Sequence, residues 1–270
     1  MRTWFITGAS RGLGRAFVEA ALHAGDQVVG VARDVAPLDE LVAEHGGRLV
    51  AFGLDVSDRA AVFAAVERAV AAFGRLDVVV NNAGGMLFGM LEEVTEEQAR
   101  AHLDTNFFGA LWVCQAVVPH LRAQGSGHIV QVTSMGAGGG YAAVGLYAAG
   151  KAALDSLSDA LAMEVEDFGI KVTIVGPGSY ATELFTRGTS TTEENELYAP
   201  LRARLAELWG GENADPSPEQ AAPVLLELVG MAEPPKRVLL GSTCYDLVEQ
   251  MDRERSAEYA KWEHLSRKAG

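Results

Sequence analysis

The sequence predicts an α/β fold: a single Rossmann-like, doubly wound parallel sheet of about seven strands, with helices on both faces. Short apolar runs alternate with helix-length stretches from the first residue onward, which is the pattern of strand–helix–strand units. The apolar runs are almost continuously hydrophobic, as strands are when helices cover both faces of a sheet. With 270 residues, 49% of them hydrophobic, the chain is predicted to form one domain spanning 1–270.

Seven apolar runs are predicted as strands, at residues 4–7, 27–31, 49–54, 78–80, 129–132, 172–175 and 238–240. Helix start signals lie between some of them: residues 95–98 fit a capping box, and residues 217–220 combine an N-cap serine with proline at the first helical position. Residues 181–216, rich in Thr, Glu and Gly, are predicted to form a mobile substrate flap. Residues 244–270 are predicted to form a polar, helical tail.

Composition restricts the classes of partner. The formal net charge is −14, so we expect neither nucleic acid nor an anionic membrane as a partner. The two cysteines, Cys114 and Cys244, form no spacing motif, and no secretory signal or membrane-spanning run is visible. A reduced, cytoplasmic location is therefore expected, without a metal ion.

Residues 134–151 contain three groups suited to proton transfer. Tyr147 and Lys151 are four residues apart, so on a helix both leave the same face. A free phenol has a pKa of roughly 10, and a nearby ammonium favours the phenolate and lowers that pKa. Ser134 ends an apolar run and can donate a hydrogen bond to the substrate oxygen that exchanges a proton with Tyr147. A serine at a strand end is also ordinary turn chemistry, and one Tyr–Lys pair can arise by chance, so the assignment depends on the other motifs.

A glycine-rich turn follows the first predicted strand. Gly8, Gly12 and Gly14 form a GxxxGxG pattern, which differs from the GxGxxG spacing of the common dinucleotide fingerprint. Between a strand and a helix, such a turn allows backbone N–H groups to reach a pyrophosphate at the helix N-terminus. Simple turn formation is the alternative explanation.

The end of the second strand bears on cofactor choice. An acidic residue at this position typically binds the ribose 2′-hydroxyl of NAD, whereas an arginine accommodates the 2′-phosphate of NADP. Here Ala32 is followed by Arg33, and Arg11 lies in the glycine turn, so two guanidiniums favour NADP(H) over NAD(H). The alternative is that Arg33 is solvated and Asp34 binds the ribose of NAD.

Three further polar positions follow predicted strands or lie in a helix. Asp55 comes after the third strand and could accept a hydrogen bond from an adenine amino group, although an acidic residue leading into a helix is common. The small residues of 81–84 (NNAG) would let a ligand lie against the fourth strand. Asn106 lies inside a helical stretch, where it marks a kink or cap or holds a water.

In order and spacing, these motifs resemble the classical short-chain dehydrogenase/reductase family. The matches are TGxxxGxG at 7–14, NNAG at 81–84, Asn106, Ser134, YxxxK at 147–151, and Pro177-Gly178 with Thr182. They cover residues 1 to about 185, and the spacing of the first turn disfavours the extended, epimerase-like branch.

The resemblance implies a catalytic set. Tyr147 would be the general acid or base, and Lys151 would lower its pKa and hold the nicotinamide ribose. Ser134 would orient the substrate oxygen, and Asn106 would fix a water that begins a proton relay. The reaction implied is hydride transfer between a nicotinamide and a carbinol carbon.

The resemblance also implies the cofactor contacts, which follow the chain from the pyrophosphate to the nicotinamide: Gly8, Ser10, Arg11, Gly12, Leu13 and Gly14 in the first turn; Asp55 and Val56 at the adenine; Asn82, Ala83 and Gly84 at the adenosine-side ribose; and Pro177, Gly178 and Thr182 at the nicotinamide.

The substrate and the assembly are less constrained. Candidate pocket walls are mostly apolar or aromatic: Met86, Phe88, Met135, Tyr141, Tyr180 and Phe185. They favour a medium-sized hydrophobic ketone or secondary alcohol, although each could equally be a packing residue. The helices over 107–121 and 150–168 resemble the family's paired-helix interface, so we expect a homodimer, with a homotetramer as the alternative. A catalytically silent NADP-binding regulator and a dehydratase or isomerase of the same fold are the competing functions.

Overall fold

The computed structural model describes residues 1–210 and 215–270. The described residues form nine strands, whose bounds are β1 Thr3–Thr7, β2 Gln27–Ala32, β3 Leu49–Gly53, β4 Val78–Asn81, β5 Met86–Phe88, β6 Gly127–Val132, β7 Ile170–Pro177, β8 Thr189–Thr191 and β9 Arg237–Leu240. Seven of them form one parallel sheet in the order β3-β2-β1-β4-β6-β7-β9. The predicted fold class and all seven predicted strands are confirmed.

Ten α-helices connect or flank these strands in the described part of the chain: α1 Gly12–His23, α2 Asp39–His45, α3 Arg59–Phe73, α4 Glu96–Leu103, α5 Gly109–Gln124, α6 Gly145–Val165, α7 Ala199–Trp209, α8 Ala222–Gly230, α9 Ser242–Lys261 and α10 Glu263–Ser266. A π-helical segment, Asp104–Phe108, joins α4 to α5. The long crossover helices α1, α3, α5 and α6 are what parallel strand pairing requires.

The core lies in two layers, one on each face of the sheet. Alternate residues of β1 divide between them, because successive side chains of a strand point to opposite faces. Trp4 and Ile6 pack with α1, α2 and α8, whereas Phe5 packs with α3 and α5. Phe5 is fully buried, and burying a side chain of this kind contributes about 1.5–3 kcal/mol. This two-sided burial explains why the strands are almost continuously apolar.

The order of strands reverses next to β1. Phe5 lies beside Val29 of β2 on one side and beside Val79 of β4 on the other. The connection from β1 runs through α1 to β2, and the chain later returns to β4 on the other side of β1. In open parallel sheets, ligands bind in the crevice at the carboxyl ends of the strands where this reversal occurs.

The start signals of two helices have different outcomes. Thr95 Oγ1 accepts a hydrogen bond from the Gln98 backbone at 3.2 Å, and Gln98 Oε1 accepts one from the Thr95 backbone at 3.1 Å, which confirms the capping box of α4. The second prediction is wrong in part. Ser217 makes no side-chain capping bond and begins only a short 3₁₀ turn, and α8 starts at Ala222.

The predicted flap is more regular than its composition indicated. It contains β8, which pairs in parallel with β5, and α7; its residues 211–214 lie outside the described residues. The Glu93 carboxylate, whose side chain is only 2% exposed, holds this segment. It accepts hydrogen bonds from Arg202 at 2.6 and 2.7 Å and from Thr192 Oγ1 at 2.8 Å.

The tail after β9 is helical and packs on the loop that follows β6. Cys244, near the start of α9, is buried, and Tyr141 Oη donates a hydrogen bond to Met251 Sδ at 3.0 Å. Within residues 1–210 and 215–270, the structure contains no helix whose length and apolar character would suit a bilayer crossing.

Candidate active site

The glycine turn between β1 and α1 is too tightly packed for larger residues. Gly8 and Gly12 adopt positive φ angles of 63° and 52°, which glycine accepts at least cost. A Cβ on Gly14 would lie 2.1 Å from the carbonyl oxygen of Gly8 and 2.5 Å from Asn82 Nδ2. The turn therefore requires glycine both for its backbone conformation and for its close packing.

The N-terminus of α1 is suited to an anion. Arg11 occupies the N-cap position without a side-chain capping bond, and the first turn of α1 carries no acidic residue. Helix N-terminal N–H groups left without protein partners bind phosphate oxygens readily. These residues fit the pyrophosphate of a dinucleotide, as the sequence motif predicts.

Asn82 connects the glycine turn to the end of β4. Its Nδ2 donates hydrogen bonds to the carbonyl oxygens of Thr7 at 2.9 Å and Gly8 at 3.2 Å. Thr7 Oγ1 in turn accepts from the backbone N–H groups of Asn82 and Ala83, both at 3.0 Å. The asparagine thus fixes the two loops that flank the crevice.

Tyr147 and Lys151 lie on the first two turns of α6 and face inward. Tyr147 is 9% exposed and Lys151 is 4% exposed. Lys151 Nζ lies 5.9 Å from the centroid of the Tyr147 ring and donates a hydrogen bond to the Val132 carbonyl oxygen at 2.9 Å. The helix therefore brings a phenol and an ammonium to the carboxyl end of β6, as the spacing predicts.

The pKa values of this pair differ from the sequence expectation. Burial raises the pKa of Tyr147, and a hydrogen bond with Ser134 only partly opposes that rise. Burial also lowers the pKa of Lys151 to about 8. The expected lowering of the phenol pKa by Lys151 is therefore corrected: in this structure burial dominates, because the ammonium is directed to a backbone carbonyl.

Asn106 lies in the π-helical segment and faces the same centre. Its Oδ1 accepts a hydrogen bond from Gly85 N at 3.1 Å, and its Nδ2 donates to the His102 carbonyl oxygen at 3.0 Å. A Cβ on Gly84 would lie 2.8 Å from Asn106 Oδ1 and 3.4 Å from Lys151 Nζ. Gly84 therefore leaves the space in which these two polar groups meet.

Ser134 ends β6 and starts the loop toward α6. Its Oγ accepts a hydrogen bond from Gly136 N at 3.1 Å, which is local turn chemistry, and it lies near enough to Tyr147 to lower the pKa of that phenol. The hydroxyl therefore shapes its own loop, which is the turn interpretation, and its role toward a substrate oxygen stays a prediction.

The segment after β7 closes on the glycine turn. Gly178 N donates to the Leu240 carbonyl oxygen at 3.0 Å, and Pro177 is the buried last residue of β7. A Cβ on Gly12 would lie 3.2 Å from the side chain of Thr182. Thr182 therefore lies directly against the glycine turn; its implied contact with the nicotinamide stays a prediction.

A cavity of about 370 Å³ lies on this side of the crevice, and its lining includes Ser10, Arg11, Arg15, Asp34, Thr182 and Glu183. Arg11 Nη1 lies 3.4 Å from Glu183 Oε2 across it. Arginine and backbone N–H groups around such a cavity suit the phosphates of a dinucleotide.

The adenine side carries the remaining predicted contacts. Asp55 is exposed; its burial works to raise its pKa, but hydrogen bonds from Ser57 and the charge of Arg33 leave the pKa lowered. Arg33 is exposed as well. Val56 and Leu13 differ from this pair: Val56 is buried in one core layer, and Leu13 packs against the other.

The predicted pocket walls divide into three groups. Met86, Phe88, Met135 and Tyr141 are buried or half-buried around the β5 strand and the loop after β6. Phe185 is 52% exposed at the start of the flap. Tyr180 is a correction: it is buried in the core layer that contains α8, so it acts as a packing residue rather than as a pocket wall.

Sequence reasoning missed three residues of this region. They are Gly85, whose N–H holds Asn106; Glu93, which anchors the flap; and His102, whose ring lies 6.1 Å from that of Tyr147. His102 is four residues before Asn106, a spacing that on a helix indicates contact. No comparable signal in the sequence distinguishes Glu93 from the carboxylates that lie at the surface.

Comparison with known proteins agrees with this geometry. A family profile described as short chain dehydrogenase matches residues 2–193. The chain is 37% identical over 268 residues to Oxidoreductase BOA17 of Botryotinia fuckeliana, covering 98% of both proteins. It is 34% identical over 240 residues to a 3-ketodihydrosphingosine reductase of Bacteroides thetaiotaomicron, covering 87% of this chain and 86% of the relative.

Solved structures show the same similarity. A short-chain dehydrogenase from Streptomyces avermitilis superposes with a TM-score of 0.92 at 38% identity, with full coverage of both chains. An alcohol dehydrogenase from Thermococcus sibiricus complexed with 5-hydroxy-NADP gives a TM-score of 0.74 at 26% identity, covering 89% of this chain and 96% of the other. The chain therefore belongs to the short chain dehydrogenase family and is an NAD(P)-dependent oxidoreductase.

Proposed function

We propose that the protein is an NADPH-dependent carbonyl reductase that converts hydrophobic ketones to secondary alcohols, with Tyr147 as the general acid. The observation that carries this proposal is the convergence of Tyr147, Lys151 and Asn106 beside Gly84 at the carboxyl ends of β4 and β6. A silent cofactor-binding protein would have no need to bury a lysine and a phenol side by side, because burying an ionisable group costs free energy.

NADPH, when bound, supplies the hydride. Tyr147 protonates the carbonyl oxygen of the substrate, while Ser134 holds that oxygen by a hydrogen bond. The raised pKa of Tyr147 keeps the phenol protonated at neutral pH, which suits a proton donor in the reductive direction. Lys151 holds the nicotinamide ribose and returns a proton to Tyr147, and Asn106 holds the water that resupplies Lys151.

The preference for NADP(H) rests on positive charge at the adenosine end. Arg11 lines the cavity beside the glycine turn, and Arg33 is exposed just beyond β2. Arg11 carries an exposed ion pair with Glu183, and such a pair contributes little stability, about 0–1 kcal/mol. Arg11 can therefore exchange its contact with Glu183 for a contact with a phosphate at a small cost in free energy.

The substrate class follows from the apolar rim of the site. A second cavity, of about 210 Å³, lies at the start of α6 and is lined mainly by Met90, Leu91, Tyr141, Ala142, Ala143 and Tyr198. Leu91, 70% exposed, borders it. An apolar chain attached to the ketone would cover this surface, and a relative named for a keto substrate of the sphingosine type supports the same class.

We propose that the protein acts as a cytoplasmic homodimer, with a homotetramer as the alternative. Half-buried aromatic rings lie where the π-helical segment joins α5, and Phe108 there stacks on Trp112 with 5.7 Å between ring centroids. Apolar surface left partly exposed in this way favours association. Light scattering of the purified protein measures the assembly directly.

A panel of ketones of increasing apolar chain length, assayed with NADPH and with NADH, tests the reaction and the cofactor together. We expect oxidation of NADPH to match alcohol formed, with kcat/KM rising with chain length and higher with NADPH than with NADH. Product formation without stoichiometric NADPH consumption would indicate a dehydratase or isomerase. NADPH binding without turnover of any carbonyl would indicate a regulator.

A further inference from the structure

The ring of His102 lies beside that of Tyr147, and the mechanism above gives His102 no task. It lies near the end of α4, directly before the π-helical segment, and it is 7% exposed. Its ring meets that of Tyr147 at an interplanar angle of 62°, with 6.1 Å between centroids. A Cβ on Gly150, one residue before Lys151, would lie 3.9 Å from His102 Nε2.

The hydrogen bonds of Asn106 fix the orientation of its amide. Gly85 N is a donor, so the Asn106 atom that faces it at 3.1 Å must be the oxygen. The amide nitrogen therefore faces His102, 3.0 Å from its carbonyl oxygen and 3.4 Å from its Nδ1. Two donors cannot share that contact, so Nδ1 is the acceptor.

This orientation determines the tautomer of His102. A neutral imidazole carries one proton, and with Nδ1 as acceptor that proton lies on Nε2. Burial, and secondarily the charge of Lys151, lowers the pKa of His102 to about 4, so the ring stays neutral at pH 7. Nε2 is buried and has no hydrogen-bond partner among the described residues.

An unpaired buried N–H donor costs free energy, and packing alone does not explain it. A leucine would fill this space without leaving a donor unpaired. The histidine provides what leucine cannot, an acceptor for the amide of Asn106. Polar groups retained at such a cost are concentrated at functional sites.

We propose that His102 is a positioning residue, whose Nδ1 holds the Asn106 amide and whose ring fixes the orientation of the Tyr147 phenol. The amide oxygen of Asn106 can then hold Gly85, and the phenol keeps its direction toward Ser134. This proposal rests on the proposed role of Tyr147 as general acid, since positioning matters only if that phenol transfers a proton.

Three substitutions separate positioning from packing. His102→Asn keeps an acceptor near the position of Nδ1 but leaves a cavity; His102→Leu fills more of the space but has no acceptor. His128→Leu is the matched control, because His128 is also a buried histidine with a pKa lowered to about 4, chiefly by burial. Its Nε2 pairs with Thr173 Oγ1 at 2.9 Å, and it lies near the opposite end of β6.

Thermal stability and kcat should rank the two His102 variants in opposite orders. We expect His102→Leu to be the more stable but to lose roughly 10-fold in kcat, because misplaced catalytic groups lower kcat more than KM. His102→Asn should be less stable but keep kcat within about 3-fold of the parent. The Kd for NADPH should be unchanged in both, and His128→Leu should lower the Tm without changing kcat.

Two results would overturn the proposal. One is wild-type kcat in His102→Leu; the other is a kcat for His102→Asn no better than that of His102→Leu. Nitrogen NMR of the full-length protein gives a readout independent of activity, and it should show the Nε2–H tautomer of His102; a proton on Nδ1 would contradict the assignment. If Tyr147→Phe kept full activity, the proposed function itself would fail, and that outcome is distinct from either result.

Discussion

Lys151 Nζ donates a hydrogen bond to the Val132 carbonyl oxygen at 2.9 Å, and this bond ties the second turn of α6 to the end of β6. An ammonium that is only 4% exposed has given up most of its hydration. The hydrogen bond replaces part of that hydration. The desolvation cost that remains lowers the pKa of Lys151. Lys151, to which we assign a catalytic role, is therefore held in place at the expense of stability.

Replacement of this lysine should stabilise the protein while it abolishes activity. The lysine pKa falls from its ordinary 10.5 to about 8, which corresponds to roughly 3 kcal/mol at about 1.4 kcal/mol per pKa unit. Losing the bond to Val132 offsets about 1 kcal/mol. The free energy of unfolding of Lys151→Met, measured without cofactor at pH 7, should therefore be about 2 kcal/mol higher than that of the parent.

The stability difference between the parent and Lys151→Met should depend on pH. Because the pKa of Lys151 is lower in the folded than in the unfolded protein, the free-energy cost of its charge is fully present below pH 8. That cost disappears as the pH rises toward 10.5. Denaturant unfolding at pH 7 and pH 10 measures it. The advantage of Lys151→Met should shrink at pH 10, whereas Lys171→Met, at an exposed lysine, should show no such change. A variant less stable than the parent at pH 7 would contradict the account.

Cofactor preference should depend on Arg33. Arg33→Ser removes a guanidinium whose interaction with the 2′-phosphate of NADPH we expect to be charge-assisted, about 1.5–3 kcal/mol. The kcat/KM for NADPH should fall by roughly 10-fold or more, since 1.4 kcal/mol is a factor of ten, while that for NADH stays the same. Arg122→Ser, at an arginine that packs over Phe168, serves as the control. Equal losses with both cofactors would show that Arg33 does not read the phosphate.

The flap should loosen when Glu93 loses its charge. The hydrogen bond from Arg202 is the main cause that lowers the pKa of Glu93 to about 2, together with bonds from Asn195, Met90 and Thr192 that outweigh burial. Glu93→Gln should accelerate hydrogen exchange in β5, β8 and α7 and raise KM for the ketone. Glu194→Gln is a matched control, because Glu194 lies 3.5 Å from the same arginine but is 73% exposed.

Acidification of the parent protein should loosen the flap in the same way as Glu93→Gln. The contribution of Glu93 is fully present above its ordinary pKa of 4.5 and is lost as the pH falls toward 2. The rate of amide exchange in β8, relative to the rate of an unprotected amide at the same pH, should therefore rise in the parent protein as the pH falls over that range. The difference between the parent and Glu93→Gln should disappear. Slow exchange in Glu93→Gln at pH 7 would show that other contacts hold the flap.

The main sheet was predictable because its strands are almost continuously apolar runs between turn signals and alternate with helix-length stretches. β5 and β8 were not, because each has three residues and their pairing joins segments about a hundred residues apart. Their partner is set by tertiary contacts around Glu93, and local propensity carries no such information. For the same reason the flap was expected to be irregular.

The convergence of Tyr147 and Lys151 was predictable from the sequence, but their electrostatics were not. Spacing places Tyr147 and Lys151 on one face of α6, yet only the fold shows that Lys151 is directed to Val132 and that burial dominates both pKa values. The prediction that Tyr180 is a pocket wall was wrong because of tertiary packing. Its position after β7 suggested a pocket wall, but the packing of α8 covers it.

The proton that Tyr147 gives to the substrate is the central claim, and Tyr147→Phe tests it most directly. The substitution removes one hydroxyl and keeps the ring that packs against His102, so the fold should be retained. With the ketone that the panel identifies, kcat should fall by roughly 10²–10⁴-fold, the range of general acid catalysis. The Kd for NADPH and the Tm should stay close to those of the parent, and Tyr245→Phe, at a 58% exposed tyrosine, should keep full activity. A Tyr147→Phe protein that binds NADPH and reduces the ketone at the parent rate would contradict the account.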